Sequence, residues 1–172
     1  MKEFRIACDV DDVLLQCYPA LCRYFKKPER YINIWDAEVE NAWVAALFPH
    51  LFDDKYFWEH IPRLSNPESI DFEIDHYITS IPSKLHDVRE KCLIKHGFPK
   101  RPVVCTLGNK VDTMKALGLN VLIDDKPTTV KAVREAGMIG IQFVPPYMSE
   151  YDKDDPFTIK HLSQVKKILE KL

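Results

Sequence analysis

Two pairs of aspartates stand out in the sequence because each pair follows a short apolar run. One run ends in Asp9 and Asp11, and another, much later in the chain, ends in Asp124 and Asp125. If both runs are strands of one parallel sheet, their carboxylates lie at its carboxyl edge, where open α/β folds bind ligands. Either pair alone is also explained by aspartates that form a turn or cap a helix.

Four carboxylates brought to one edge would repel one another unless a cation lay among them. Carboxylate oxygens are hard ligands, and Mg²⁺ takes a few such oxygens and waters while keeping positions open for phosphate. We therefore expect Asp9, Asp11, Asp124 and Asp125 to form a Mg²⁺ site.

Hydroxyl and lysine side chains follow two further apolar runs that lie between the aspartate pairs. Thr79 and Ser80 follow one of these runs, and Lys110 follows the other after a short loop. Hydroxyls and free backbone N–H groups at such a strand end can hold phosphate oxygens, and a lysine there would balance both a carboxylate and a phosphate. Considered singly, Thr79 and Ser80 are equally well explained by a turn, and Lys110 by a solvated surface.

Five short runs rich in Val, Ile and Phe predict buried strands, and their continuous apolar character is typical of a parallel sheet covered on both faces. The runs are Phe4–Cys8, Glu73–Ile78, Pro102–Cys105, Asn120–Ile123 and Met138–Val144. Helices are predicted in stretches that end at Gly97, Gly118 and Gly137, and over Thr158–Leu172, where an apolar stripe lies opposite lysines. This alternation predicts an α/β fold with a Rossmann-like, doubly wound parallel sheet.

Residues 17–71 interrupt the alternation, since they contain no clear strand and hold 11 of the chain's 19 aromatic residues. A loop of that length is unusual inside a compact domain, so we interpret the segment as a small helical cap inserted after the first strand. Residues 1–16 and 72–172 would then form the core. Most of the aromatic side chains would belong to the cap's own interior.

Length and composition exclude several classes of protein. The chain has 172 residues, enough for one domain, and its 46 % hydrophobic content is far above that of a disordered chain. Its net charge of −2 lacks the basic excess of a duplex-binding domain, so no double-stranded nucleic acid is expected as a partner. No run reaches the roughly 20 apolar residues of a membrane span, and the N-terminus lacks the apolar region of a signal peptide. These features favour a cytoplasmic protein without a membrane partner.

Taken in order, these groups of residues resemble the four motifs of the haloacid dehalogenase superfamily, and most closely those of its 5′(3′)-deoxyribonucleotidase group. The resemblance extends over nearly the whole chain. Two residues depart from the pattern, because Asp12 stands where that group usually has glycine and Leu107 stands where an arginine is common. The segments that carry the resemblance are Asp9–Leu14, Ile78–Ser80, Thr106–Lys110 and Leu122–Lys126.

The resemblance implies a Mg²⁺-dependent phosphatase that forms an aspartyl-phosphate. Asp9 matches the nucleophile. Asp11 matches the general acid and base, and its backbone carbonyl also matches a metal contact. Asp124 or Asp125 matches the remaining metal ligand, and Asp124 is favoured.

The resemblance also implies how a substrate is held. Thr79 and Lys110 match the residues that orient the phosphate, and the cap lies where it would close over the site and select substrates. Nucleobases stack on aromatic rings, so the aromatic cap favours a small nucleoside monophosphate as the partner. One or two of Tyr18, Phe25 and Trp43 are expected to face that base. The same aromatic segment leaves room for a homodimer interface.

Two other functions remain open from the sequence. One is a phosphatase for another small phosphate ester or for a polynucleotide end, and the lack of a basic excess argues against the polynucleotide. The other is a catalytically silent phosphate-binding module with the same fold, and the complete set of motifs argues against it.

Overall fold

The computed structural model describes residues 3–29 and 42–172, and a parallel sheet lies at its centre. The strands are β1 (Ile6–Cys8), β2 (His76–Thr79), β3 (Val103–Cys105), β4 (Val121–Asp124), β5 (Ile139–Phe143) and β6 (Thr158–Ile159). They pair in the order β3-β2-β1-β4-β5-β6, and every pairing is parallel. This order confirms the predicted α/β fold with a Rossmann-like, doubly wound sheet.

Helices pack against both faces of the sheet. In the described residues they are α1 (Cys17–Tyr24), α2 (Ala42–Leu47), α3 (Lys55–Glu59), α4 (His86–Lys95), α5 (Lys110–Leu117), α6 (Pro127–Glu135) and α7 (Val165–Leu169), with 3₁₀ turns at Phe48–Asp53, Pro67–Ser69, Ser83–Leu85 and Leu162–Gln164. Successive strand residues point to opposite faces, so Leu122 packs with Met114 and Val133 of α5 and α6, whereas Ile123 lies in the core cluster that includes Leu93 of α4. Burial on both faces explains why the strands are continuously apolar. None of these helices is long and apolar enough to cross a membrane.

The order of the strands reverses at β1, since β2 and β3 lie on one side of it and β4 to β6 on the other. Such a reversal leaves a crevice at the carboxyl ends of the two central strands, here β1 and β4. Cys8 and Ile123 are register partners, and the N–H of Asp9 donates to the Ile123 carbonyl at 2.8 Å. The residues that follow β1 and end β4 therefore lie side by side at this crevice.

The C-terminal stretch differs from the prediction of one helix over Thr158–Leu172. It begins with β6, continues through a 3₁₀ turn and forms only a short helix, α7. The N–H groups of Gln142 and Val144 on the neighbouring strand donate to the carbonyls of Phe157 and Ile159, so sheet pairing outweighs the helical pattern. The apolar stripe itself is buried as predicted, since residues three or four apart also share a face along this bent path. Its buried members are Ile159, Leu162, Val165 and Leu169.

The insertion between β1 and β2 leaves and rejoins the sheet at one place. The N–H of Gln16 donates to the Pro62 carbonyl, and the N–H of Leu64 donates to the Leu14 carbonyl, both at 2.8 Å. The described part of the insertion contains α1, α2 and α3, and its interior is built largely from aromatic rings that meet edge to face or tilted. The rings around Trp58 are Phe48, Phe52 and Phe57. Tyr31 and Trp35 lie outside the described residues.

Candidate active site

Lys110 lies between the two central strands and contacts a carboxylate from each. Its Nζ is 2.8 Å from Oδ1 of Asp9, which follows β1, and 2.7 Å from Oδ2 of Asp124, which ends β4. All three side chains are buried. Burial alone disfavours a charged lysine, but the two carboxylates outweigh it and raise the pKa of Lys110 above its ordinary value. The site therefore holds a permanent ammonium group at the crevice.

The local sequence places Lys110 there through the start of α5. Asn109 caps the helix, since its side-chain oxygen accepts from the Val111 N–H at 2.8 Å. Before it, the Thr106 hydroxyl oxygen accepts from the Gly108 N–H at 3.0 Å and closes a tight turn. The chain thus turns sharply after β3, and the first residue of α5 projects its side chain into the crevice.

Three of the predicted metal ligands lie together. Asp9, Asp124 and Asp125 are buried, and each offers a carboxylate oxygen within 4.8 Å of the others. Burial raises the pKa of Asp9 to about 7, and it raises the pKa of Asp125 well above its usual range. Lys110 contacts two of these acidic groups, Asp9 and Asp124. Three clustered carboxylates offer hard oxygen donors, which fit a divalent cation such as Mg²⁺.

The carboxylate of Asp11 lies outside this metal cluster, although it was predicted as a ligand. Its Oδ2 accepts from the Thr79 hydroxyl at 3.0 Å, and both of its oxygens lie within 3.0 Å of Nη2 of Arg89. Thr79 is fully buried and so supports Asp11, while Ser80, the next residue, lines the cavity at the site. Of the two hydroxyl residues predicted to bind phosphate, Ser80 thus lies at the cavity, whereas Thr79 is buried and donates to Asp11.

Arg89 has no counterpart in the motifs and was missed by sequence reasoning. One signal for it exists, because Leu85, Cys92 and Leu93 stand four residues before it and three and four residues after it in the sequence. Residues at these spacings share one face of a helix, and all three are buried. A charged residue on the buried face of a helix requires a partner inside the protein.

Asp12 occupies a backbone conformation that explains the first departure from the family pattern. Its φ is +60°, in the left-handed region where glycine is favoured and aspartate is tolerated. The carboxylate accepts from the Tyr18 N–H at 2.8 Å and from the Tyr147 hydroxyl, although burial raises its pKa to about 7. Leu107, the second departure, is an exposed residue of the loop before α5.

A cavity of about 330 Å³ opens over the carboxylates and Lys110. Tyr18 lines it, as predicted for one of three aromatic residues, and so does Phe48, which the sequence reasoning did not select. Phe25 and Trp43 lie outside the described lining and pack edge to face on each other, with ring centroids 6.1 Å apart. Other described residues of the insertion that line the cavity are Cys17, Leu21, Val44, Ala45 and Pro49.

A larger cavity, of about 560 Å³, lies beside the ends of β5 and β6. Residues such as Ser65, Met148 and His161 line it, and its described lining includes none of the clustered aspartates. The candidate site is therefore the smaller cavity, where Asp9, Asp11, Asp124 and Lys110 converge.

No protein-family model and no curated protein sequence matches the chain. Among solved structures it is similar to an L-2-haloacid dehalogenase, with a TM-score of 0.61 and 13 % identity over 98 % of this chain and 100 % of that one. It is also similar to the UTR4 protein of Saccharomyces cerevisiae, with a TM-score of 0.55 and 11 % identity over 93 % of this chain and 98 % of that one. Identities this low show a shared fold. They support the haloacid dehalogenase resemblance at that level and leave the deoxyribonucleotidase group without support.

Proposed function

We propose that the chain is a phosphatase that hydrolyses small phosphate monoesters through an aspartyl-phosphate on Asp9, with nucleoside monophosphates as its preferred substrates. The observation that carries the proposal is the placement of Lys110 between Asp9 and Asp124 at the sheet's switch point. A phosphate dianion can approach an anionic nucleophile only where positive charge offsets both. Lys110 provides part of that charge, and the acidic cluster provides ligands for more.

In the first half-reaction a carboxylate oxygen of Asp9 forms a bond to phosphorus while the ester P–O bond breaks. Asp11, which lines the same cavity, enters this step in its protonated form and gives its proton to the departing alkoxide. Lys110 stabilises the charge that spreads over the phosphoryl oxygens, and Ser80 offers a hydroxyl and a backbone N–H to them.

In the second half-reaction water attacks the phosphorus of the aspartyl-phosphate. Asp11 accepts the water proton, the bond between phosphorus and the Asp9 oxygen breaks, and inorganic phosphate leaves. Asp9, Asp124 and Asp125 would hold Mg²⁺, which when bound offsets phosphate charge and polarises the phosphoryl group.

The acidic cluster also separates this proposal from dehalogenation, the activity for which one structural neighbour, the L-2-haloacid dehalogenase, is named. Two buried carboxylates beside the nucleophile, those of Asp124 and Asp125, repel an anionic substrate unless a cation is bound among them. A phosphate dianion gains from such a cation at its reacting centre. In a 2-haloacid the carboxylate is bonded to the carbon under attack but takes no part in the displacement, so the reaction gains less from the cation.

The wall of the cavity supports a nucleoside as the rest of the substrate. Tyr18 and Phe48 line the same cavity as Asp9 and Lys110, and Val44 and Pro49 add apolar surface. A nucleobase stacked on such a ring gains roughly 1–3 kcal/mol. A small sugar phosphate has no group that uses this wall.

A phosphate-release screen with the purified protein and Mg²⁺ tests the proposal. The panel contains dUMP, dTMP, ribose 5-phosphate, p-nitrophenyl phosphate and a 5′-phosphorylated oligonucleotide, with halide release from 2-chloropropionate measured in parallel. We expect phosphate release that the Asp9→Asn variant loses, with the nucleotides ahead. Halide release without phosphate release would overturn the proposal. Preference for the oligonucleotide would move the substrate class to polynucleotide ends.

A further inference from the structure

Arg89 is a fully buried arginine on α4 that lies between the core and the insertion. On one side its Nη2 lies 2.9 and 3.0 Å from the two carboxylate oxygens of Asp11. On the other side its guanidinium lies 5.0 Å from the ring centroid of Trp58, a residue of α3 in the insertion. Arg89 thus has the proposed acid and base of the reaction on one side and the interior of the insertion on the other.

The other two side-chain nitrogens of Arg89, Nε and Nη1, are buried and have no hydrogen-bond partner among the described residues. A buried guanidinium is costly unless it is paired, so Asp11 and the face of Trp58 are the interactions that fix it. The Trp58 ring is itself held, since its Nε1 donates to the Leu51 carbonyl at 2.7 Å.

Three contacts from two groups hold the Asp11 carboxylate. Nη2 of Arg89 lies near both oxygens, and the Thr79 hydroxyl donates to one of them. The Asp11 side chain remains 16 % exposed towards the cavity. Arg89 is absent from the described lining of that cavity, so it has no direct access to a substrate. Asp11 is the group of the proposed reaction that Arg89 contacts.

We infer that Arg89 is a positioning residue that sets the orientation of the Asp11 carboxylate towards the leaving-group oxygen. The inference rests on the proposed function, in which Asp11 protonates the departing alkoxide. Thr79 alone leaves the carboxylate free to rotate about its terminal torsion, whereas contact of both oxygens with Nη2 fixes its plane. Misplacement of a catalytic group by about 1 Å can lower a rate by about 100-fold.

The inference makes the effect of Arg89 depend on the leaving group. The ratio kcat/KM reports the steps up to departure of the alcohol, in which Asp11 acts as an acid. A nucleoside or ribose leaving group requires that proton, whereas p-nitrophenolate departs without it. We expect the Arg89→Met variant to lose about 100-fold in kcat/KM on dUMP and ribose 5-phosphate, with little loss on p-nitrophenyl phosphate. A purely structural role would lower all three equally.

The chain offers a matched control in Arg134. Its Nη1 lies 2.8 Å from Asp155, and its guanidinium lies 5.4 Å from the ring centroid of Phe157, outside the described lining of the cavity. The Arg134→Met variant removes an equivalent ion pair and ring contact, and we expect it to leave the ratio of the two kcat/KM values unchanged.

The Arg89→Lys variant keeps the test valid if Arg89→Met does not fold. Lysine retains the charge but not the planar guanidinium, so we expect it to lose activity on dUMP more than on p-nitrophenyl phosphate. Circular dichroism and thermal unfolding establish that each variant is folded. Equal losses on both classes of ester in the folded Arg89 variants, or a wild-type ratio in Arg89→Lys, would overturn the inference. Wild-type protein that hydrolyses neither ester would instead show that the proposed function itself is wrong.

Discussion

Asp9 and Asp124 occupy equivalent positions on adjacent parallel strands, since the residues immediately before them, Cys8 and Ile123, are register partners. Two buried carboxylates at such positions repel each other, and Lys110 Nζ lies within 2.8 Å of both. The sheet register thus sets the charge balance of the site, and the first two predictions depend on it.

The Asp9→Asn variant should lose turnover by roughly 10⁴-fold or more, because an amide oxygen cannot act as the nucleophile. The change is nearly isosteric and removes a buried carboxylate whose pKa is raised by burial, so the fold should be retained. Phosphate release and thermal unfolding of the same preparation check both statements. Near-wild-type turnover would show that Asp9 is not the nucleophile.

The Lys110→Met variant should be destabilised by about 3–5 kcal/mol at pH 8, because two buried carboxylates lose their countercharge. The loss should shrink at pH 5, where Asp9 can hold a proton in the folded protein. Chemical denaturation at the two pH values measures the difference. Lys131→Met, an exposed lysine paired with Glu135, serves as the control and should change little.

Mg²⁺ should stabilise the folded protein more at pH 8 than at pH 6. The pKa of Asp9 is about 7 in the folded protein, so between its ordinary value and pH 7 the folded state keeps a proton that the unfolded chain has lost. The free energy of unfolding therefore falls as the pH rises through this window, and only the deprotonated cluster binds a cation well. Thermal unfolding with Mg²⁺, with EDTA and with NaCl at equal ionic strength tests this. Absence of a Mg²⁺ effect at pH 8 would contradict the metal site.

The Asp12→Ala variant should be less stable than Asp12→Gly by about 1 kcal/mol. Both changes remove the contacts of the carboxylate with Tyr18 and Tyr147, so the difference isolates the left-handed backbone at φ +60°. Chemical denaturation of the two variants gives the value directly. Equal stabilities would mean that this backbone conformation is not retained in the variants.

The Phe48→Ala variant should lose the preference for a nucleotide while it retains hydrolysis of simple esters. Loss of one stacking contact of about 1.4 kcal/mol corresponds to a tenfold change in the ratio of kcat/KM between dUMP and ribose 5-phosphate. Phe25→Ala is the control, because Phe25 packs on Trp43 away from the described lining of the cavity. If Tyr18→Ala and Phe48→Ala both keep the wild-type ratio, the base does not bind on this wall.

The fold and the central part of the site were predictable because both depend on local patterns. Continuous apolar runs indicate a sheet that is covered on both faces. The aspartates that follow two of these runs indicate where the strands end. The switch point then brings Asp9, Lys110 and Asp124 together without further information.

Other features depend on contacts that no local pattern encodes. Strand β6 exists because Gln142 and Val144 supply donors from the neighbouring strand, although the sequence there has helical spacing. Arg89 pairs with Asp11, which lies 78 residues away in the sequence. Among the aromatic residues, composition predicted that some face the cavity, but only the packing of the insertion separates Tyr18 and Phe48 from the rest.

The paired ends of the insertion have a consequence for engineering. Backbone hydrogen bonds join Gln16 to Pro62 and Leu64 to Leu14, and they hold the two attachment points of the insertion next to each other. The entropy of closing a loop between such points changes slowly with its length. Loops within the insertion can therefore change in length while its two ends stay in place. Its buried side chains cannot be exchanged in the same way, because Leu51, Phe57, Trp58 and Ile61 share one core cluster with the strands and with Leu93 of α4.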